Sequence, residues 1–375
     1  MIKNLTIKNF KAHSDTPLEL KNLNILSGIN GVGKSSVFQS LLLLRQSHEN
    51  NVLQKGLQLN KPHCYIGKFE DAIYQYAEND TIEFSITTEK DENLTWKFKP
   101  EKNNLTGDFI PIVDSSPSNL DAISLFNDNF QYLSATRMIK SESNTFAVES
   151  KRQLSLERGQ TELAAQFLFY WGKEKKEKVR FENLLHPSST DDGILAQTSA
   201  WEQEISPNVN VVPVKDGNSY AVKYSFNKKG DTTNEFSSEN VGFGLGYALP
   251  IIIAMLSSEK DSLILIENPE AHLHARGQSE LAKLIALAAQ SGVQIILETH
   301  SEHIINGVLV ACKRFEKEKK GIDKDLVRIY HFKRDEEKHC AIAQPVKILA
   351  DGKIDRQPDD FFEQAEKDLN YLLGF

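Results

Sequence analysis

The sequence predicts an α/β fold built on a largely parallel sheet, and three observations carry that prediction. Two apolar runs, "SLILI" at 262–266 and "VQIIL" at 293–297, lack the alternation of a half-solvated strand and read as strands covered on both faces. Helical sequence at 278–290 lies between them, giving strand, helix, strand. A glycine-rich segment, "GINGVGKS" at 28–35, joins a third apolar strand to a helix.

The elements follow in order. Residues 2–10, 17–20 and 23–26 read as short strands, and "SVFQSLLLLR" at 36–45 as a helix with a broad apolar face. Residues 52–99 read as loop and strand, with "TIEFSI" at 81–86 alternating as an antiparallel strand should. The middle third is more polar and carries the charge run "KEKKEK" at 173–178. Within it, 161–171 reads as helix, and 210–212 and 220–224 as strands joined through an Asp216-Gly217 turn. Core-like sequence returns with a buried helix at 249–256. The expected organisation is a head in two parts, 1–137 and 237–375, with an inserted α+β lobe at 138–236.

At 375 residues, with 40% hydrophobic and 26% charged residues, the chain has globular composition and enough length for one large or two modest domains. Its 44 basic residues stand against 52 acidic ones, a net charge of −8, so binding to nucleic acid would depend on a local basic patch. The longest apolar stretch, 248–256, is broken by Pro250 and falls far short of the roughly twenty residues of a membrane span. The amino terminus lacks an apolar signal segment. Cys64, Cys312 and Cys340 lie far apart with no CxxC, which excludes a disulfide framework and a zinc knuckle. A soluble, cytoplasmic protein with no membrane partner is expected.

The 28–35 segment matches GxxxxGK[ST] in full. Its glycines let successive backbone N–H groups curl around phosphate oxygens without Cβ clashes. Lys34 adds a mobile positive charge, the Ser35 hydroxyl suits Mg²⁺, and the following helix aims its amino-terminal dipole at the same anion. The expected ligand is ATP with Mg²⁺, and the expected contacts are Asn30, Gly31, Val32, Gly33, Lys34, Ser35 and Ser36. Farther on, Glu267 ends one apolar strand, where a carboxylate can hold the hydration shell of Mg²⁺. "ETHS" at 298–301 ends the next strand, placing His300 within reach of a γ-phosphate.

The phosphate loop, "LILIENPEAHLH" at 263–274 and "LETHSEH" at 297–303 together resemble the ABC-type ATPase heads of the SMC, RecF and OLD class. The opening, "IKNLTIKNFKAHSD" at 2–15 and "LNILSGINGVGKSS" at 23–36, is similar to the same class. "NVGFG" at 240–244, the "ENPE" at 267–270 and a "DGKI…FFEQ" tail at 351–364 resemble a subfamily of bacterial AAA-type ATPases. The resemblance spans both ends of the chain and is weak in the middle. It implies a P-loop NTPase of ABC-ATPase type, a mixed sheet flanked by helices. It also implies a head-to-tail dimer with two ATP molecules sandwiched between subunits. Each ATP would meet one subunit's phosphate loop and the partner's signature segment, here "SSENVGFG" at 237–244, with Asn240, Gly242 and Gly244 as contacts. His300 resembles the switch histidine, and residues 271–274 occupy the D-loop position. Arg137 lies where the class joins its lobes and is a candidate nucleotide sensor.

The pattern departs from the class at one chemically important place. Where most members carry a magnesium carboxylate followed by a glutamate that orients water, this chain has Glu267 and Asn268. An amide hydrogen-bonds water but does not take its proton. Hydrolysis is therefore slow, or Glu270 serves as base. Relatives commonly have proline where Ala275 stands. His272, His274, His300 and His303 lack a strong zinc spacing.

About 75 residues follow His300, too few for the Toprim nuclease of OLD-type proteins, and no long heptad run suggests an SMC-type tether. The leading expectation is an ATPase sensor or scaffold that controls a separately encoded effector, a nuclease, in bacterial anti-phage defence, by resemblance to the ATPases of Septu, Gabija and PARIS systems. The alternative is a RecF-like clamp with DNA as its partner and a DNA-stimulated ATPase. A transporter subunit is disfavoured because the signature lacks LSGGQ.

Overall fold

A computed structural model of the chain describes residues 1–101, 106–116, 119–139, 142–228, 231–356 and 370–373. Two six-stranded sheets form its frame. The first is antiparallel, in the order β2 (His13–Glu19), β1 (Ile2–Phe10), β5 (Ile82–Thr88), β6 (Asn93–Phe98), β7 (Phe109–Ser115), β4 (Gly56–Gln58). The second runs β16 (Ala341–Val346), β15 (Val327–Arg334), β3 (Leu23–Gly28), β14 (Gln294–Glu298), β13 (Leu263–Glu267), β8 (Phe130–Leu133). All its pairings are parallel except that of the edge strand β16.

Side-chain alternation sorts the second sheet between two cores. Leu263, Leu265 and Ile296 face a cluster that holds the apolar side of α1 (Lys34–Glu49) and the inner face of the antiparallel sheet. Ile264, Ile266, Ile295 and Leu297 face a cluster with α5 (Phe243–Ser257), α6 (Ala275–Gln290) and α7 (Glu302–Glu318). Both faces of β13 and β14 are covered, which is why their sequences are continuous apolar runs.

Two short helices, α2 (Phe69–Ala72) and α3 (Ala164–Phe167), precede α4 (Ile194–Glu202). The helix expected at 161–171 is shifted: α3 continues as a π-helical stretch, Leu168–Glu174. The expected hairpin is β9 (Val209–Asp216) with β10 (Ser219–Lys228), turning at Gly217, whose φ is 58°. Short β11 (Asp231–Thr232) and β12 (Phe236–Ser237) pair with β10. Leu163, Phe167, Trp201 and Tyr224 of this middle segment share one buried cluster with α5 and α6. The helix expected at 249–256 begins six residues earlier and contains Pro250.

Among the described residues no helix is long and apolar enough to cross a membrane. "DGKI" at 351–354 packs on α7, with the Asp351 amide donating to Glu316 at 2.7 Å. "FFEQ" at 361–364 lies outside the described residues.

Candidate nucleotide-binding site

The phosphate loop leaves the end of β3 and enters α1, and its conformation requires its glycines. Gly28 has φ 130°, and a Cβ there would sit 2.4 Å from the Phe332 carbonyl oxygen on β15. Gly33, the residue before α1, has φ 100° and is wedged between Ala12 and Ala341, each 3.1 Å from where a Cβ would stand. No side chain caps α1; the Ser36 N–H turns back on the Gly33 carbonyl at 3.1 Å, and the helix terminus faces the loop, where its dipole favours an anion. The Lys34 ammonium donates to the carbonyls of Gly28 (2.9 Å) and Ile29 (2.7 Å), lying across its own loop. Burial pushes its pKa down, opposed by Glu298 and Glu270. A cavity of about 220 Å³ opens here, lined by Lys11, Asn30, Lys34, Ser35, Ser36 and Glu298 among others.

His13, on the antiparallel sheet, buttresses the loop from below. It is fully buried, its Nε2–H donates to the Gly33 carbonyl at 3.0 Å, and Nδ1 takes the Thr16 hydroxyl at 2.9 Å. Burial pushes its pKa down to about 4, so it stands as a neutral imidazole.

The tips of β13 and β14 meet the loop from the side. Glu267 and Glu298 are register partners on these strands, yet their carboxylates do different things. Glu267 accepts the Tyr132 hydroxyl at 2.8 Å and the Ala135 amide at 3.1 Å. Glu298 accepts the Ser35 hydroxyl at 3.0 Å and lies 3.9 Å from the Lys34 ammonium. Burial raises the Glu298 pKa, with Ser35 and Lys34 opposing.

The turn after β13 is sharply shaped. Asn268 (φ 43°) and His272 (φ 61°) both occupy the left-handed region, which asparagine tolerates better than most residues. Glu270 accepts the Thr299 hydroxyl at 2.7 Å and the His300 amide at 2.9 Å, and so fixes the backbone that leads into His300. His300 itself is exposed, its pKa lowered by partial burial and by Lys34.

Residues 23–306 match the family described as "AAA domain, putative AbiEii toxin, Type IV TA system" (AAA_21). The chain belongs to this family. Its fold is that of the Smc ATPase heads. Residues 322–372 also match a "Protein of unknown function (DUF3696)" family. The fold is similar to an Smc head bound to the C-winged helix domain of ScpA, with TM-score 0.54 and 13% identity, covering 92% of this chain and 98% of that one. An Smc head with an extended coiled coil, bound to the C-terminal domain of ScpA and derived from Pyrococcus furiosus, also gives TM-score 0.54, at 14% identity and 99% of both chains. Forty-four residues are 43% identical to the DNA double-strand break repair Rad50 ATPase of Archaeoglobus fulgidus. That match spans 12% of this chain and 5% of Rad50.

In this ATPase head the sequence-predicted residues fall into two groups. Asn30, Gly31, Val32, Gly33, Lys34, Ser35 and Ser36 come together around the loop, with Glu298 beside them. Asn240, Gly242 and Gly244 lie instead at the amino terminus of α5, packed over the turn at 271–274. A Cβ on Gly244 would sit 2.8 Å from the His272 carbonyl oxygen, and the Tyr247 and His272 rings are 4.5 Å apart. Asn240, Gly242 and Phe243 are exposed. Among the described residues no group of histidine, cysteine and carboxylate side chains forms a metal cluster.

Arg137 is not poised to touch a nucleotide. It is fully buried and donates to four backbone carbonyls: Tyr247 (2.9 Å), Ser134 (2.9 Å), Glu267 (2.6 Å) and Asn268 (2.8 Å). Burial pulls its pKa down to about 10. It fastens α5 to the tip of β13. Cys64, Cys312 and Cys340 form no disulfide, and burial pushes the first two thiols up to about 12.

The uncapped α1 terminus, the glycine conformations and a buried lysine fit a nucleotide triphosphate, and an unpartnered oxygen of Glu298 beside Ser35 fits a divalent cation. Ser35 and a strand-tip carboxylate would hold Mg²⁺, which when bound neutralises charge across the β- and γ-phosphates. Sequence reasoning gave no role to Glu298, His13 or Tyr132. Only the position of Glu298 at the end of an apolar strand signalled it.

Proposed function

We propose that this head is an ATP-operated switch. It binds MgATP, closes as a head-to-tail dimer on two nucleotides, and hydrolyses slowly. The long-lived closed state controls a separately encoded effector, a nuclease, in bacterial anti-phage defence. One observation carries the slow step. Asn268 stands where a water-orienting carboxylate would follow Glu267, and Glu270, the other candidate base, has both oxygens engaged by Thr299 and His300. Exposure of Asn240, Gly242 and Phe243 supports the dimer, since it leaves them open to a second surface. The solved Smc heads bound to ScpA support partner control, and the family's toxin–antitoxin description supports a two-component system.

The test is single-turnover hydrolysis of MgATP, with Lys34→Ala as blank and double-stranded DNA added in parallel. Wild type should turn over slowly, and Asn268→Glu should accelerate it on the order of 100-fold, the scale of general base catalysis. Glutamate at φ 43° carries about 1 kcal/mol of strain, so the melting temperature is measured alongside. Brisk wild-type turnover would sink the slow switch. Acceleration by DNA would favour the clamp reading, in keeping with the short Rad50 match.

A further inference from the structure

We propose that the groove between α6 and α7 is the docking site of this chain's own segment at 370–373. Two apolar surfaces are left uncovered, and neither belongs to the nucleotide site. The first is a cavity of about 670 Å³, within the roughly 300–1,000 Å³ of ordinary binding sites. Its apolar lining includes Leu287 of α6, Val310 and Phe315 of α7, and Trp201 of α4. Val310 is 49% exposed, although Leu309 and Ala311 on either side of it are buried. The second surface is the helical segment at 370–373, where Tyr371, Leu372 and Leu373 are 84%, 81% and 61% exposed. Apolar side chains scattered singly over a surface need no explanation, but three in a row form a patch, and a patch marks a contact.

The chain reaches its tail by way of α7. The turn at 350–352 packs on that helix, with the Asp351 amide on Glu316 and Gly352 too close to the Leu309 carbonyl to carry a Cβ. Val310 and Arg314, which line the groove, lie about 100° round the same helix from Leu309 and Lys313. The thirteen residues 357–369 span at most about 45 Å, several times the roughly 10 Å width of a helix, so the segment beyond them can cross to the groove on its own chain. A tether this short keeps it there at an effective concentration on the order of millimolar. Charge favours the same occupant. Residues 357–369 carry five acidic side chains and one lysine. On the groove, Lys283 is paired with Glu280 at 3.0 Å, while Arg314 and Lys320 make no ion pair among the described residues. Docking there ties the tail to the two helices that start at His274 and Ser301, the caps next to the strand tips of the nucleotide site.

The test is a cysteine pair in the full chain, Val310→Cys with Leu372→Cys, oxidised at micromolar protein and resolved by non-reducing electrophoresis and peptide mapping. Tyr65→Cys with Leu372→Cys is the control, since Tyr65 is 63% exposed on the loop after β4. The first pair should close an intramolecular disulfide on the order of 10-fold faster than the control, because docking concentrates one thiol beside the other. Adding Arg314→Glu and Lys320→Glu should slow that closure about 5-fold, the scale of two exposed ion pairs. Equal rates in the two pairs, or a first pair that does not close, would overturn the proposal and leave the groove to another protein. A disulfide formed mainly between chains would also overturn it and would give the groove to the tail of a second copy.

Discussion

The phosphate loop and the signature candidate at 237–244, proposed above as the two halves of a shared ATP site, are built in opposite ways. The loop is braced at three points: His13 below, β15 against Gly28, Glu298 beside Ser35. The signature segment is braced on one side only, where Gly244 lets α5 lie against the turn at His272, and its outer face stands open with Phe243 73% exposed. A preorganised half binds without reorganisation, whereas an open half gains its contacts only from a second surface. Arg137 is the link between them, since it joins the carbonyl of Tyr247 on α5 to those of Glu267 and Asn268 at the strand tip.

The sharpest way to break this comparison is at Gly242. Its φ of −59° is open to any residue, and a Cβ there meets nothing within 4 Å, so Gly242→Trp should leave the fold and the monomer's ATP affinity intact. ATP-dependent dimer formation should be abolished, read by light scattering of a hydrolysis-blocked sample. Loss of ATP affinity in the monomer would show that the halves are not separable. Next in size is Arg137→Met, which leaves four carbonyls without their donor in a buried site. Urea denaturation should show a loss of about 4 kcal/mol. An unchanged midpoint would mean that water replaces the guanidinium and that the link is not needed.

The difference between the halves also explains what could be read in advance. The loop was legible because its chemistry is contiguous: eight residues specify turn, charge and hydroxyl together. β13 and β14 were legible because burial on both faces leaves an unbroken apolar run. The role of Glu298 was not, because it depends on β14 lying between β3 and β13, an order no local pattern states. α4 was missed for a different reason. Its buried face includes Gln197, Thr198 and Glu202, so apolar spacing fails to mark it. Gln197 faces inward because its side chain accepts from the His186 amide and donates to the Asp191 carbonyl, both at 2.6 Å. Arg137 was a candidate sensor because an arginine after a strand tip carries no sign of whether its charge points out or in.

The smallest expected effect tests the brace beneath the loop. The folded-state pKa of His13, about 4, lies below the ordinary value of 6.5, so between those limits the unfolded chain binds a proton that the folded chain refuses. Stability from this group is therefore fully present above pH 6.5 and declines as pH falls towards 4, by up to about 3 kcal/mol over the window and about 1 kcal/mol at pH 5.5. His13→Gln can donate to Gly33 and accept from Thr16 without titrating. Its melting temperature should therefore fall less than that of wild type between pH 7.5 and 5.5. Other groups titrate in both proteins, and the comparison cancels them. ATP affinity in the wild type should hold over the same interval, because the folded protein keeps a neutral imidazole under the loop until pH approaches 4. Equal slopes in the two proteins would remove His13 from the bracing of the loop and leave its rigidity to Gly28 and Glu298.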